Sequence, residues 1–115
     1  MKKVILLIIT SVILSSCSNP TLYYWDDYPK SLYDYRKDAN EKDLNNHVEL
    51  LEKIIKTSNR RHIRVAPGLH AELGYYYLTL NRAEEAHQMF LKEKEIYPES
   101  EKLMLQMIER AGGPK

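Results

Sequence analysis

Apolar residues recur at helical spacing along most of the chain after residue 40. The clearest stripe follows Asn40, whose side chain suits a helix N-cap. Its apolar positions lie four, three and four residues apart: Leu44, Val48, Leu51 and Ile55. This spacing predicts an amphipathic helix that ends near Ser58. No segment alternates polar and apolar residues with a period of two, so strands are not expected.

Prolines, glycines and asparagines divide the rest of the chain into four further predicted helices. Their predicted bounds are 29–37, 69–80, 83–97 and 100–111. Asn81 suits a left-handed residue between two of them, and Ser100 suits the N-cap of the last. The basic segment 59–66 has no helical stripe and is predicted to be a loop. The fold class is therefore predicted to be all-α, with about five helices.

The start of the chain follows a different pattern. Two lysines at positions 2 and 3 precede an apolar run from Val4 to Leu14, which is shorter than the ~20 residues of a membrane-spanning helix. This order is typical of a secretory signal peptide. The sequence Leu14-Ser15-Ser16-Cys17 resembles the bacterial lipobox, in which the cysteine is acylated and the signal is cut before it. Cys17 is thus the predicted lipidation site.

The lipobox also predicts how the chain is divided. The expected parts are a signal peptide (1–16), a lipidated tether (17–22), a helical domain (23–111) and a C-terminal tail (112–115). Acyl chains on Cys17 are expected to hold the protein on a membrane. Ser18, where many inner-membrane lipoproteins carry Asp, favours the outer membrane with the domain in the periplasm. Display on a Gram-positive cell is the alternative.

Composition and charge exclude several classes of protein. The 17 basic and 16 acidic residues give a net charge of +1, whereas a nucleic-acid-binding domain would be clearly basic. Cleavage before Cys17 removes Lys2 and Lys3, so no polybasic stretch adjoins the anchor. The single cysteine excludes an internal disulfide and a thiolate zinc site. The four histidines lack metal-ligand spacing, so neither a metal nor a cofactor is expected.

The segment from Pro67 to Pro98 carries a helix-pair signature. Six of its residues at fixed offsets resemble a tetratricopeptide repeat: Leu73, Gly74, Tyr77, Ala86, Phe90 and Pro98. His70 and Glu93 depart from it, since Trp and Ala are usual there. The resemblance implies that Gly74 and Ala86 lie where two helices cross, so Ala at position 74 is expected to be tolerated and Leu is not. A generic helical hairpin with an incidental glycine is the alternative.

Several short stretches between residues 22 and 108 carry a second resemblance. They are Tyr24-Trp25, Ser31-Leu32-Tyr33, Leu51 to Ile55, Pro67-Gly68-Leu69, Ala71 to Tyr75 and Glu93 to Ser100. Together they resemble a family of small bacterial lipoproteins that is described only as a domain of unknown function. Members tend to be encoded beside a curli-secretion-channel-like lipoprotein. The resemblance implies an accessory part of an outer-membrane lipoprotein assembly and supplies no activity.

Aromatic residues supply the candidate binding surface. Six of them fall within thirteen positions: Tyr23, Tyr24, Trp25, Tyr28, Tyr33 and Tyr35. They either cover the open end of a short helical repeat or form a surface for a partner or for lipid. Tyr77 is expected in the core, whereas Tyr75 or Tyr76 is expected to line a ligand groove. The candidate partner-binding residues are Tyr24, Trp25, Tyr75, Tyr76 and His70.

The remaining motifs point to binding more than to catalysis. Arg60, Arg61 and Arg64 suit a phosphate or carboxylate, or form only a solvated loop. The sequence contains no nucleophile elbow, phosphate loop or recognisable triad, so an enzyme is not expected. The expected function is a lipid-anchored periplasmic adaptor that binds another envelope protein through a helical groove. A pilotin-like chaperone is the alternative, and a cell-wall-acting enzyme is less favoured.

Overall fold

A computed structural model describes Met1 and residues 21–112 of the chain. The predicted signal peptide, Cys17 and most of the tether lie outside the described residues, as do residues 113–115. No helix in the described part is long and apolar enough to cross a membrane.

Five α-helices and no strand occur within residues 21–112, so the all-α prediction is confirmed. The helices are α1 (Tyr28–Asp38), α2 (Glu41–Arg60), α3 (Leu69–Thr79), α4 (Ala83–Ile96) and α5 (Glu101–Arg110). A 3₁₀ turn, Pro98–Ser100, joins the last two. Each helix packs on the next one in the chain, and the most extensive contact is between α3 and α4. Short connections make such neighbours antiparallel.

The ends of the helices follow most of the local signals. The side chain of Asn40 caps α2 by accepting from the backbone N–H of Asp43 at 2.8 Å. Asn81 is left-handed, with a φ of 59°. Ser100 does not act as the predicted N-cap, because its backbone is already helical. Its hydroxyl instead donates to the carbonyl of Tyr97 at 2.7 Å.

The crossing of α3 and α4 is tightest at Gly74. A methyl group built there would lie 2.6 Å from Cε1 and 2.9 Å from Cδ1 of Phe90. Phe90 has no exposed surface, so its ring has little room to move. The sequence predicts that alanine is tolerated at position 74. The ring contact corrects that expectation, because even one methyl group requires the core to shift.

Glu93 departs from the repeat signature for a structural reason. Its side chain is buried, and Oε1 accepts from the backbone N–H of Gly68 at 2.7 Å. Gly68 has a φ of +88°, which glycine adopts without strain, and it directly precedes α3. The carboxylate therefore fixes the start of α3 against α4, and an alanine at position 93 would leave this amide without its acceptor.

Candidate partner-binding surface

The aromatic segment before α1 is fastened to α2. Lys53 on α2 lies 2.8 Å from Oδ2 of Asp26, and the Tyr24 hydroxyl donates to the same oxygen at 3.0 Å. The Lys53 contact, followed by that of Tyr24, holds the pKa of Asp26 below its ordinary value. Residues 23–27 thus have a defined position along the C-terminal half of α2.

A buried hydrogen-bond network joins α1, α2 and α3. The ring of His47 is fully buried, and its Nε2 lies 3.1 Å from Oε1 of Glu72. Because an ionised carboxylate only accepts, Nε2 carries a proton, and Nδ1 lies 2.9 Å from the Ser31 hydroxyl, which donates to it when the ring is neutral. Tyr28 donates to the other oxygen of Glu72 at 2.7 Å.

The charge of Glu72 is stabilised by this network. Burial by itself raises the pKa of the Glu72 carboxyl, but the hydrogen bonds from His47 and Tyr28 outweigh it and hold the pKa below its ordinary value. Burial and the same carboxylate raise the pKa of Tyr28 above its usual range. The network therefore joins α1 to α2 and α3 through the ionised carboxylate of Glu72.

Ser31, His47 and Glu72 are also the residue types of a nucleophilic triad. Their surroundings oppose that chemistry. The cleft beside Ser31 has a volume of about 270 Å³ and is lined by Asp27, Lys30, Asp34, Asp43 and Asn46, and Lys30 pairs with Asp34 at 2.6 Å. The carboxylates of Asp27 and Asp43 would repel the oxyanion that a serine nucleophile creates. The geometry favours a structural role for the network.

The five candidate binding residues separate into two groups. Tyr75 is 55% exposed and Trp25 40% exposed, and Tyr24 is half-buried. Tyr76 and His70 are only 6% and 3% exposed, so the expectation that they present a binding surface is wrong. Tyr76 instead packs against the rings of Tyr35 and His47. Such contacts depend on tertiary packing, which a run of three tyrosines does not specify.

An apolar groove lies over α3, between α2 and α4. Its volume is about 350 Å³. It is lined by Glu52, Ile55, Lys56, Asn59, Leu73, Tyr77 and Met89. Tyr77 is buried as expected and donates to Oε1 of Glu52 at 2.6 Å, while the guanidinium of Arg82 lies 4.0 Å from the ring centre. These contacts fix one wall of the groove.

The predicted loop at 59–66 begins later than expected, because α2 continues to Arg60. The basic loop, which comprises Arg60 at the end of α2 and residues 61–64 after it, lies against the aromatic segment. The Arg61 guanidinium is 4.9 Å from the ring centre of Tyr24. That of Arg64 is 4.5 Å from the ring centre of Tyr97 and donates to the carbonyl of Ile96 at 2.7 Å. Within the described residues no group of three His, Cys, Asp or Glu side chains is placed to hold a metal ion.

Comparison with known proteins gives a match that covers nearly all of the helical domain. A family model described as Domain of unknown function (DUF4810) matches residues 22–107. The chain belongs to this family. No curated protein and no solved structure matches it. The family description names no activity for its members.

Sequence reasoning missed the contacts that organise this DUF4810 domain. His47 and Glu72 are 25 residues apart, as are Gly68 and Glu93. No local pattern relates residues at that separation. The one available signal was Glu93 itself, because a charged residue where the repeat has alanine indicates a specific buried partner.

His70 should make the stability of the domain depend on pH. Burial, and then the neighbouring Lys92, lower the pKa of His70 to about 4, against an ordinary value of 6.5. Its Nδ1 and Oε2 of Glu93 lie 3.9 Å apart and neither makes a hydrogen bond. Glu95 acts in the opposite direction and raises the pKa of His70, but burial and Lys92 outweigh it. The unfolded chain therefore binds a proton that the folded chain does not, and stability is lost as the pH falls from about 6.5 towards 4.

We expect the free energy of unfolding to fall by ~2 kcal/mol between pH 7 and pH 5 through this residue alone. Urea titrations of wild type and of His70→Gln at both pH values measure the difference, because glutamine does not titrate. His62→Gln, at an exposed histidine, is the control and should retain the wild-type pH dependence. An equal pH dependence of wild type and His70→Gln would contradict this expectation, because it would mean that His70 binds a proton as readily in the folded chain as in the unfolded chain.

Proposed function

We propose that this protein is a lipid-anchored periplasmic adaptor or assembly module of an outer-membrane lipoprotein complex. One observation carries the proposal: Tyr33 on α1 and Tyr75 on α3 are 64% and 55% exposed. Exposed tyrosines are enriched where proteins bind partners, because they supply a large contact area at a low cost in conformational entropy. The partner class is another envelope protein, for which a curli-secretion-channel-like lipoprotein is the first candidate.

A tetratricopeptide-like architecture is part of this proposal. The close approach of Gly74 to Phe90 and the burial of Leu73, Ala86 and Tyr77 support it. In such repeats every second helix contributes to one layer, and that layer forms a groove for a protein ligand. The ring contact between Tyr35 and Tyr76, with centres 5.5 Å apart, brings α1 and α3 together in this way.

The lipid anchor is proposed from the lipobox, and replacing its cysteine tests it. Replacing Cys17 by serine removes the thiol that receives the diacylglycerol, so we expect no incorporation of labelled palmitate and no cleavage by the lipoprotein peptidase. Gel mobility and fluorography of the full-length protein in its native host measure both. Uptake of label by Cys17→Ser would contradict the anchor.

Site-specific photo-crosslinking tests the binding surface. Benzoylphenylalanine placed at Tyr33 or Tyr75 of the anchored protein should yield one discrete adduct in the native envelope. The same group at Glu84 or Gln88, which are exposed on α4, should not. Equal crosslinking at all four positions, or at none, would contradict a partner surface on α1 and α3.

The pilotin-like alternative predicts a different phenotype. Deleting a pilotin leaves one outer-membrane subunit in the wrong membrane, whereas deleting an adaptor leaves a correctly located but inactive complex. Fractionation of the crosslinked partner in a deletion strain separates the two. The cell-wall-acting enzyme is disfavoured by the carboxylates around Ser31, and hydrolysis of purified cell-wall material by the protein would revive it.

A further inference from the structure

The fold brings a set of basic and aromatic residues to the place where the chain leaves for its anchor. Tyr23 packs beside Tyr97, and burial together with the Tyr23 hydroxyl raises the pKa of Tyr97 to about 12. The guanidinium of Arg64 covers the same Tyr97 ring, and Arg61 covers the ring of Tyr24. The basic loop is therefore in contact with the residues that directly follow the tether.

The distance to the anchor is short. Cys17, which lies outside the described residues, precedes Leu22 by five residues, and five extended residues reach ~17 Å. An acylated Cys17 would thus hold the basic loop near the level of the lipid headgroups. This step rests on the lipid anchor of the proposed function.

The side chains at this end suit a membrane surface. Leu22 is 74% exposed, and Trp25 packs edge-on against Tyr23 with its outer part in solvent. Arg60, Arg61 and Arg64 are exposed, and none of them makes an ion pair with a carboxylate within residues 21–112. Of the nearby acids, Asp26 is neutralised by Lys53, whereas Asp27 and Glu99 are exposed.

We propose that Leu22, Trp25, Arg60, Arg61 and Arg64 form a membrane-facing surface that docks on anionic phospholipid headgroups and fixes the orientation of the anchored domain. The arginines bind headgroup phosphates, since a guanidinium matches phosphate geometry. Trp25 lies at the interface, where amphipathic rings are favoured. This docking leaves Tyr33 and Tyr75 available to the protein partner.

Trp25 is the only tryptophan, so its fluorescence reports the contact directly. The acylated full-length product is reconstituted into vesicles of phosphatidylethanolamine and phosphatidylglycerol that contain lipids brominated near the headgroup. Flotation measures the anchor, and bromine quenching of Trp25 measures the docking. We expect strong quenching in these anionic vesicles. It should fall at least twofold in phosphatidylcholine vesicles, which carry no net charge, and in 0.5 M salt, which screens the attraction between the arginines and the headgroups.

The variant Arg60→Gln/Arg61→Gln/Arg64→Gln should float normally and lose at least half of the quenching. The matched control changes three exposed cations where α1 ends and α2 begins, Arg36→Gln/Lys37→Gln/Lys42→Gln, and should behave as wild type. Arg60→Glu serves as a second variant, because no side-chain contact of Arg60 within the described residues is lost.

Flotation and quenching distinguish failure of the docking surface from failure of the anchor. Protein that floats without quenching of Trp25 overturns the docking surface and leaves the anchor intact. Protein that does not float overturns the anchor and the docking together. Equal quenching in neutral and anionic vesicles, or in both triple variants, overturns the role of the arginines.

Discussion

Replacing Gly74 is expected to destabilise the domain, by ~1–2 kcal/mol for alanine and by more than ~3 kcal/mol for leucine. The alanine methyl would overlap the Phe90 ring, since its position lies 2.6 Å from Cε1. Alanine gains ~1 kcal/mol of helix propensity over glycine, which offsets only part of the overlap. For a domain of this size we expect the melting temperature to fall by ~5–15 °C for Gly74→Ala.

A double-mutant cycle with Phe90→Leu tests the cause. Phe90→Leu removes the ring atoms that the new methyl would meet, so Gly74→Ala should cost much less in that background. Thermal unfolding of the four proteins, followed by circular dichroism, gives the coupling. A Gly74→Leu protein that melts at or above the wild-type temperature would mean that α3 and α4 do not approach closely at Gly74, and the tetratricopeptide-like assignment would lose its main support.

His47→Ala is expected to cost ~3 kcal/mol, because it combines a cavity with two broken hydrogen bonds. The fully buried ring contacts three aromatic rings, and its loss leaves Glu72 with one fewer donor. The melting temperature should fall by more than ~10 °C. Since Tyr28 bonds Glu72 and packs on Trp25 with ring centres 5.4 Å apart, the tryptophan emission should also shift to longer wavelength.

The exposed His62 supplies the control for this experiment. His62 has a φ of 55°, so the control is His62→Asn, because asparagine tolerates a left-handed backbone, and it should change the free energy of unfolding by no more than ~0.5 kcal/mol. A His47→Ala protein with wild-type stability would mean that α1 is not fastened through the network. In that case the aromatic segment would be positioned against the basic loop by the contacts of Asp26 with Lys53 and of Tyr24 with Arg61 alone.

The two proposed surfaces have different relations to stability. Tyr33 and Tyr75 stand in solvent, so their replacement should affect binding with little effect on folding. Arg61 and Arg64 also cover aromatic rings, so each contributes to packing as well as to charge. For this reason the vesicle experiment with the two triple glutamine variants includes a measurement of the stability of each protein.

Local signals in the sequence determined the helices of this DUF4810 member. The apolar stripe from Leu44 to Ile55 and the cap at Asn40 gave α2, and Pro67-Gly68 and Asn81 marked the limits of α3. These features act over one or two helical turns, so a single stretch of sequence contains all the information that is needed. The family resemblance was equally readable, because it depends on short motifs in order along the chain.

Tertiary structure alone decided which side chains meet. It placed Phe90 against Gly74, buried His70 and Tyr76, and set the carboxylate of Glu93 on the amide of Gly68. It also carried the basic loop to the residues beside the anchor, although no basic residue adjoins Cys17 in the sequence. Such contacts join residues on different helices, and they depend on how the helices rotate and cross. Helical periodicity defines an apolar face, and only packing selects the partner of each residue on that face.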